Sequence, residues 1–126
     1  MITEIKNKKI FSTDVGYDYD VKKPTIILLH GSGQSHVVWS LTDQFLADQG
    51  YNVFALDLPG HGNSEGPSLQ SIEEMSKWLN DFVQHLGIEK SILVGHSQGC
   101  LVALEFARCY HRKVDKIIFI AGSYSI

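Results

Sequence analysis

Four short runs of uninterrupted apolar residues organise this chain: Ile26-Ile27-Leu28-Leu29, Val53-Phe54-Ala55-Leu56, Ile92-Leu93-Val94 and Ile117-Ile118-Phe119-Ile120. A strand with one wet face alternates apolar and polar residues. These runs do not alternate, so they suit strands covered on both faces, as a parallel sheet requires. The corresponding strands are expected over Pro24–Leu29, Tyr51–Leu56, Ser91–Val94 and Lys116–Ala121. Helical patterns fill the intervals. Trp39–Gln49 carries Trp39, Leu41, Phe45 and Leu46 as a stripe, with Gly50 as a stop. Ser71-Ile72-Glu73-Glu74 has the form of a capping box, its serine and glutamate meeting the orphan N–H groups of a helix start. From there Ile72, Met75, Trp78, Leu79, Phe82, Val83 and Leu86 recur at spacings of three and four until Gly87 closes the helix. That spacing assigns Met75 and Trp78 to the core. Cys100–Tyr110 is apolar nearly all round and reads as a buried helix. Ahead of the first apolar run, Glu4–Ser12 and Tyr17–Val21 are expected to pair as a hairpin across Thr13-Asp14-Val15-Gly16. Alternating strand and helix imply βαβ units, hence an α/β fold with a mostly parallel sheet and helices on both faces.

Composition narrows the function classes. The chain has 126 residues, a net charge of −3, and 44% hydrophobic and 20% charged residues, which excludes disordered, collagen-like and coiled-coil classes. There is no Lys/Arg cluster to give a basic field, so no nucleic-acid partner is expected. The apolar runs fall far short of the ~20 residues that cross a bilayer, and MITEIKNKKI lacks the apolar centre of a signal peptide. The expectation is a soluble, cytoplasmic protein with no membrane partner. Cys100 and Cys109 lie nine residues apart on one expected helix, ~13 Å along its axis and beyond the ~7 Å reach of a disulfide. They read as small buried or half-buried hydrophobes in a reducing compartment.

The chemistry centres on Gly95-His96-Ser97-Gln98-Gly99, a G-x-S-x-G sequence with a strand running in and a helix running out. A serine at so tight a turn holds a strained backbone, at a cost of order 1–3 kcal/mol. In return its hydroxyl stands clear of the sheet at a helix N-terminus, where the dipole favours developing negative charge. The plainer reading is that Ser97 caps that helix. A serine nucleophile also needs donors for the oxyanion it creates. One is the N–H of Gln98, the residue after the nucleophile. The N–H of Ser32, in His30-Gly31-Ser32-Gly33 after the first apolar run, is the candidate second donor. Gln34, Ser35 and His36 follow and are placed at the substrate entrance by position alone. Asp57-Leu58-Pro59-Gly60-His61-Gly62-Asn63-Ser64 allows Asp57 and His61 as a catalytic acid and base. A structural turn, with Asp57 accepting from following N–H groups, is the favoured reading.

HGSG after the third strand, DLPGHGNS after the fourth and GHSQG after the fifth together resemble the signature of the α/β-hydrolase superfamily. The likeness is greatest to esterase-like and C–C-hydrolase-like members, whose loops read HG-x-G and D-x-PG-x-G-x-S. It spans essentially the whole chain. The resemblance implies a sheet ordered 1-2-4-3-5-6-7-8, Ser97 as nucleophile, oxyanion N–H groups from Ser32 and Gln98, and a small-molecule acyl or ester substrate. Serine at position 97 argues against the dehalogenase and epoxide-hydrolase branches, which carry aspartate there. Many relatives have methionine where this chain has Gln98; since the backbone acts there, activity should survive.

In that family the acid follows the seventh strand and the histidine the eighth. After Ser97 this sequence has one histidine, His111, expected at the opposite edge of the sheet. The triad acid and histidine are therefore expected beyond Ile126, and a cap insertion from around Tyr124. Residues 1–126 read as the N-terminal part of a single α/β-hydrolase domain, ending after about the sixth strand, with the C-terminal strands and cap absent. Its last strand would present an apolar, aggregation-prone edge. The expected function is that of a serine hydrolase acting on an ester, thioester, lactone or activated C–C bond through acyl-Ser97. Without an oriented base this chain alone is expected to be inactive or nearly so. A non-catalytic binding or regulatory module on the same fold is the alternative, and an acyltransferase or lyase using the same nucleophile is a further one. No cofactor and no metal are expected: the sequence has no H-E-x-x-H, no zinc-type Cys/His spacing, no G-x-G-x-x-G and no P-loop lysine.

Overall fold

A computed structural model describes residues 1–120. The four apolar runs form one parallel sheet: β3 (Thr25–Leu29), β4 (Asn52–Ala55), β5 (Ser91–His96) and β6 (Val114–Ile120), in the order β4-β3-β5-β6. Every residue of β3 and β4 is buried, as their lack of alternation requires. Side chains leave the sheet alternately. Ile27, Leu29, Phe54, Leu56 and Leu93 enter one core with Leu79, Phe82, Val102 and Phe106 from the helices α2 (Ile72–Leu86) and α3 (Gln98–Cys109). Ile26, Leu28, Val53, Ala55, Ile92 and Val94 enter a second with Trp39 and with Ala47 of α1 (Thr42–Asp48). β3, β4 and β5 are thus covered on both faces, whereas β6, among the described residues, is not. At the start of α2, Ser71 Oγ accepts from the Glu74 N–H at 3.0 Å, and Gly87 ends the helix in the left-handed conformation at φ 72°. Met75 is core and Trp78 packs against it.

The hairpin differs from expectation. It pairs β1 (Ile2–Ile5) with β2 (Lys8–Phe11) across Lys6 and Asn7, both at positive φ, 49° and 66°. A two-residue turn of that hand matches the twist of the strands it joins. Tyr17–Val21 is not a strand: the Asp14 carboxylate accepts the Gly16 N–H at 2.9 Å and closes a local turn instead. Beyond β2 the chain meets β4 through a Ser12–Leu56 antiparallel bridge and the Asp57 N–H to Phe11 carbonyl bond at 2.9 Å. The hairpin is a separate two-stranded sheet set beside the end of β4 by this bridge, and the parallel sheet itself has four strands in the order 4-3-5-6.

Three further expectations are corrected. The helix expected over Trp39–Gln49 is a 3₁₀ turn, His36–Trp39, then α1; Leu41 between them has φ 72° and is 85% exposed, and Phe45 is also exposed. The positive φ at Leu41 breaks the helical run, so the apolar stripe never forms. α3 is not buried all round, since Leu101 and Leu104 are exposed on the face turned from the sheet. Cys100 is half-buried but Cys109, in the last turn, is exposed, and both are free. β6 is the sheet edge, with Ile118, Phe119 and Ile120 exposed as expected of an unpaired strand. Ala121 and Tyr124, assigned to the strand end and the cap start, lie outside the described residues.

Candidate active site

β5 delivers its chain to α3 with a single residue between, Ser97. That residue has φ 57° and ψ −121°, a region that a side chain makes unfavourable by of order 1–3 kcal/mol. The strain is held by close packing on both sides. A Cβ on Gly95 would lie 2.6 Å from the Cys100 nitrogen and the Gly99 carbonyl, and one on Gly99 would strike the Leu29 carbonyl oxygen. Glycine at both positions lets the helix start directly above the sheet. Ser97 is exposed and its side chain makes no capping bond, so the capping reading does not describe it. Among the described residues no side chain hydrogen-bonds to it. His111 lies in the 3₁₀ turn His111–Lys113 ahead of β6, at the far edge of the sheet from Ser97.

Ser32 follows β3, the strand beside β5. Residues Gly31–Gln34 form a tight turn closed by the Gln34 N–H to Gly31 carbonyl bond at 3.2 Å, with Gly33 at φ 71°. The turn abuts the serine: a Cβ on Gly31 would lie 3.0 Å from the Ser97 Cβ. Ser32 and Gln98 line one cavity of about 350 Å³, together with His61, Ser68, Gln70 and the apolar Leu69, Ile72 and Met75. The first N–H groups of α3, Gln98's among them, have no partner within the helix.

Two buried groups brace these loops. His30 is fully buried between them; its Nδ1–H donates to the Gly31 carbonyl at 2.7 Å, and its Nε2 accepts the Leu58 N–H at 3.0 Å. That pair of bonds requires the neutral ring. Burial holds the imidazole below the ordinary histidine value, against the upward pull of the Gly31 bond. Asp57, also fully buried, accepts from the His36 N–H at 2.6 Å, the His36 ring Nδ1 at 2.9 Å and the Asn63 N–H at 2.8 Å. Its own carbonyl accepts from Ser64 Oγ at 2.6 Å.

The bond from Asn63 is the turn geometry favoured for Asp57. His61 does not bond Asp57; its Nδ1 faces the Pro59 carbonyl at 3.1 Å and its ring packs 5.0 Å from that of His30. Gln34, Ser35 and His36 do not line the cavity. Ser35 Oγ accepts the Val37 N–H at 3.3 Å, His36 is held on Asp57, and Gln34 is held on Gly31 and His96. Sequence reasoning missed the cavity wall formed by residues 68–72, which nothing but tertiary packing places opposite Ser32.

No helix among the described residues is long and apolar enough to cross a membrane. A family model described as alpha/beta hydrolase fold matches residues 24–126. The pimeloyl-[acyl-carrier protein] methyl ester esterase of Aeromonas hydrophila is 36% identical over 100 residues, covering 79% of this chain and 38% of that protein. Epoxide hydrolase 1 of Caenorhabditis elegans is 31% identical over 118 residues, 91% of this chain and 28% of that protein. A predicted hydrolase of known structure from Thermoplasma acidophilum superposes with a TM-score of 0.84 at 24% identity, covering 97% of this chain and 62% of that one. The chain spans less than two fifths of the length of these two curated relatives. With a family match over most of its length and the 4-3-5-6 parallel order, the chain belongs to the α/β-hydrolase fold family.

Proposed function

We propose that residues 1–126 are the N-terminal part of a single hydrolase domain that cleaves an ester, thioester, lactone or activated C–C bond through an acyl-Ser97 intermediate. The observation that carries this reading is the Ser97 backbone, strained at φ 57° yet presenting an exposed and uncommitted hydroxyl beside the turn that bears Ser32. Ser97 Oγ attacks the carbonyl carbon and gives its proton to a histidine supplied from beyond Ile126. The N–H groups of Ser32 and Gln98 donate to the oxyanion, which collapses and expels the alcohol, thiol or carbanion with that proton. Water then hydrolyses acyl-Ser97. The substrate is a small acyl or ester compound, its apolar part against Leu69, Ile72 and Met75. One relative is named an epoxide hydrolase. A serine that opened an epoxide would end as an ether, which has no carbonyl for water to attack, so Ser97 favours acyl chemistry.

The test is labelling of the whole protein with a fluorophosphonate, with the modified peptide read by mass spectrometry. Modification at Ser97, lost in Ser97→Ala together with hydrolysis of p-nitrophenyl esters, is the expected result. A folded whole protein left unlabelled would refute the reading and favour a non-catalytic module. Retained hydrolysis in Ser97→Ala would refute it as well. Adding a primary alcohol to the acyl-enzyme separates transfer from hydrolysis by product.

A further inference from the structure

The side-chain oxygen of Gln34 accepts two bonds: one from the Gly31 N–H at 2.8 Å and one from His96 Nδ1 at 3.1 Å. Its donors belong to different segments. Gly31 opens the turn that carries Ser32, and His96 is the last residue of β5, immediately before Ser97. The His96 ring is also packed edge-on against buried Trp39, 6.3 Å away at 84°. Imidazole is therefore clasped by two side chains from the segment that follows β3. No other side-chain hydrogen bond among the described residues joins the Ser32 turn to the β5–α3 junction. The space is tight, since a Cβ on Gly31 would meet Gln34 Oε1 at 2.8 Å and the Ser97 Cβ at 3.0 Å.

Resting on the reading of Ser97 as nucleophile, we infer that Gln34 is a positioning residue for the oxyanion site. It holds the Ser32 turn in register with Ser97 through the Gly31 N–H and His96, without touching substrate. A hole built from two backbone N–H groups on separate segments works only if their separation is fixed. The Gln98 N–H moves with Ser97, being its neighbour; the Ser32 N–H does not. Its register with the nucleophile depends on what ties the turn to β5. Gln34 Oε1 is a pure acceptor, so the clasp also requires a proton on His96 Nδ1. Loosening the turn leaves the cavity and its apolar wall in place, so ground-state binding is spared. Oxyanion stabilisation, which is felt in the transition state, is weakened.

The experiment compares Gln34→Ala and Gln34→Glu with the parent in the whole protein, using p-nitrophenyl butyrate and a fluorophosphonate, and follows His96 by ¹⁵N NMR. Gln34→Ala should lower kcat about 10- to 100-fold with KM within about twofold. It should slow Ser97 labelling in step and release His96 from the Nδ1–H form. Gln34→Glu keeps an acceptor at the same place and should restore most of kcat. An active parent whose Gln34→Ala variant keeps kcat within twofold and leaves the His96 tautomer unchanged overturns the clasp alone. Equal losses in both variants, or a rise in KM that accounts for the whole effect, overturn it too. A parent that is not labelled at Ser97 overturns the reading of Ser97 and the clasp's catalytic role with it.

Discussion

Replacing Asp57 discriminates between a loop brace and a catalytic acid. Its carboxylate is fully buried and receives three donors, the N–H groups of His36 and Asn63 and the ring Nδ1 of His36. Asp57→Ala orphans all three. At about 1–1.5 kcal/mol for each of these part-buried bonds to the carboxylate, the loss comes to about 3–4.5 kcal/mol. Relief of the carboxylate's own burial lowers that figure, while the void left behind raises it. Asp57→Asn keeps one acceptor oxygen and turns an amide N–H₂ towards a donor, so it should cost nearly as much. Urea unfolding of the whole protein reads this as a midpoint drop of at least ~1 M. The catalytic alternative makes the opposite forecast: Asp57→Asn would leave stability intact and drop kcat by about 10⁴, as removal of a triad acid does. A stable Asp57→Asn protein with collapsed kcat would refute the structural role. A loss of less than ~1 kcal/mol in Asp57→Ala would refute the energetics.

Three other outcomes follow from the same geometry. Gly99→Ala drives a methyl group into the Leu29 carbonyl, so α3 must back away, at a cost of about 1–3 kcal/mol by thermal unfolding and with slower fluorophosphonate labelling of Ser97. His30 is held below its ordinary value of 6.5, so the unfolded chain binds its proton first as pH falls. Stability should therefore decline below about pH 6.5 towards the folded-state value, and His30→Gln should flatten that part of the stability profile from pH 5 to 8. Residues 1–126 expressed alone should associate through the β6 edge and the exposed Leu101 and Leu104, with Ile118→Lys reducing light scattering at equal concentration.

What the sequence makes legible is what neighbouring residues decide. Three of the four unbroken apolar runs lie in strands covered on both faces, while the fourth, in β6, is largely exposed among the described residues. The 3–4 spacing from Ile72 to Leu86, closed by Ser71 and Gly87, specifies α2 within a residue. The elbow is equally local: two glycines flank a serine between a strand and a helix. The errors arise where distance along the chain enters. Nothing around Lys6 marks it as a positive-φ residue, and it takes that conformation because the β1–β2 register demands it. Leu41 is an apolar residue in a helical pattern, yet the break after Trp39 puts it in solvent. The apolar all-round pattern of α3 predicts cover, but exposure at Leu101 and Leu104 depends on what packs there. Partner choice is the least legible of all. His36 finds Asp57 21 residues away and His96 finds Gln34 across 62, separations that no local pattern encodes.

These long-range bonds bear on how the strain at Ser97 is sustained. A residue at φ 57° reverts to a relaxed conformation unless its surroundings leave it no room. Gly95 and Gly99 let α3 press onto β5 and β3 so closely that the junction cannot lengthen, since any side chain at either position would collide with backbone. His30 then ties the start of the Ser32 turn to Leu58, and Asp57 ties the next loop back to His36. Each brace uses a buried polar group with its donors or acceptors matched, so loosening it leaves its own partners unpaired rather than freeing a flexible loop. Ser97, the proposed nucleophile, and its neighbouring turn are in this way held by contacts from β3, β5, α3 and the loops after β3 and β4. On the proposed mechanism, the histidine from beyond Ile126 supplies a proton acceptor to a site already shaped to receive it.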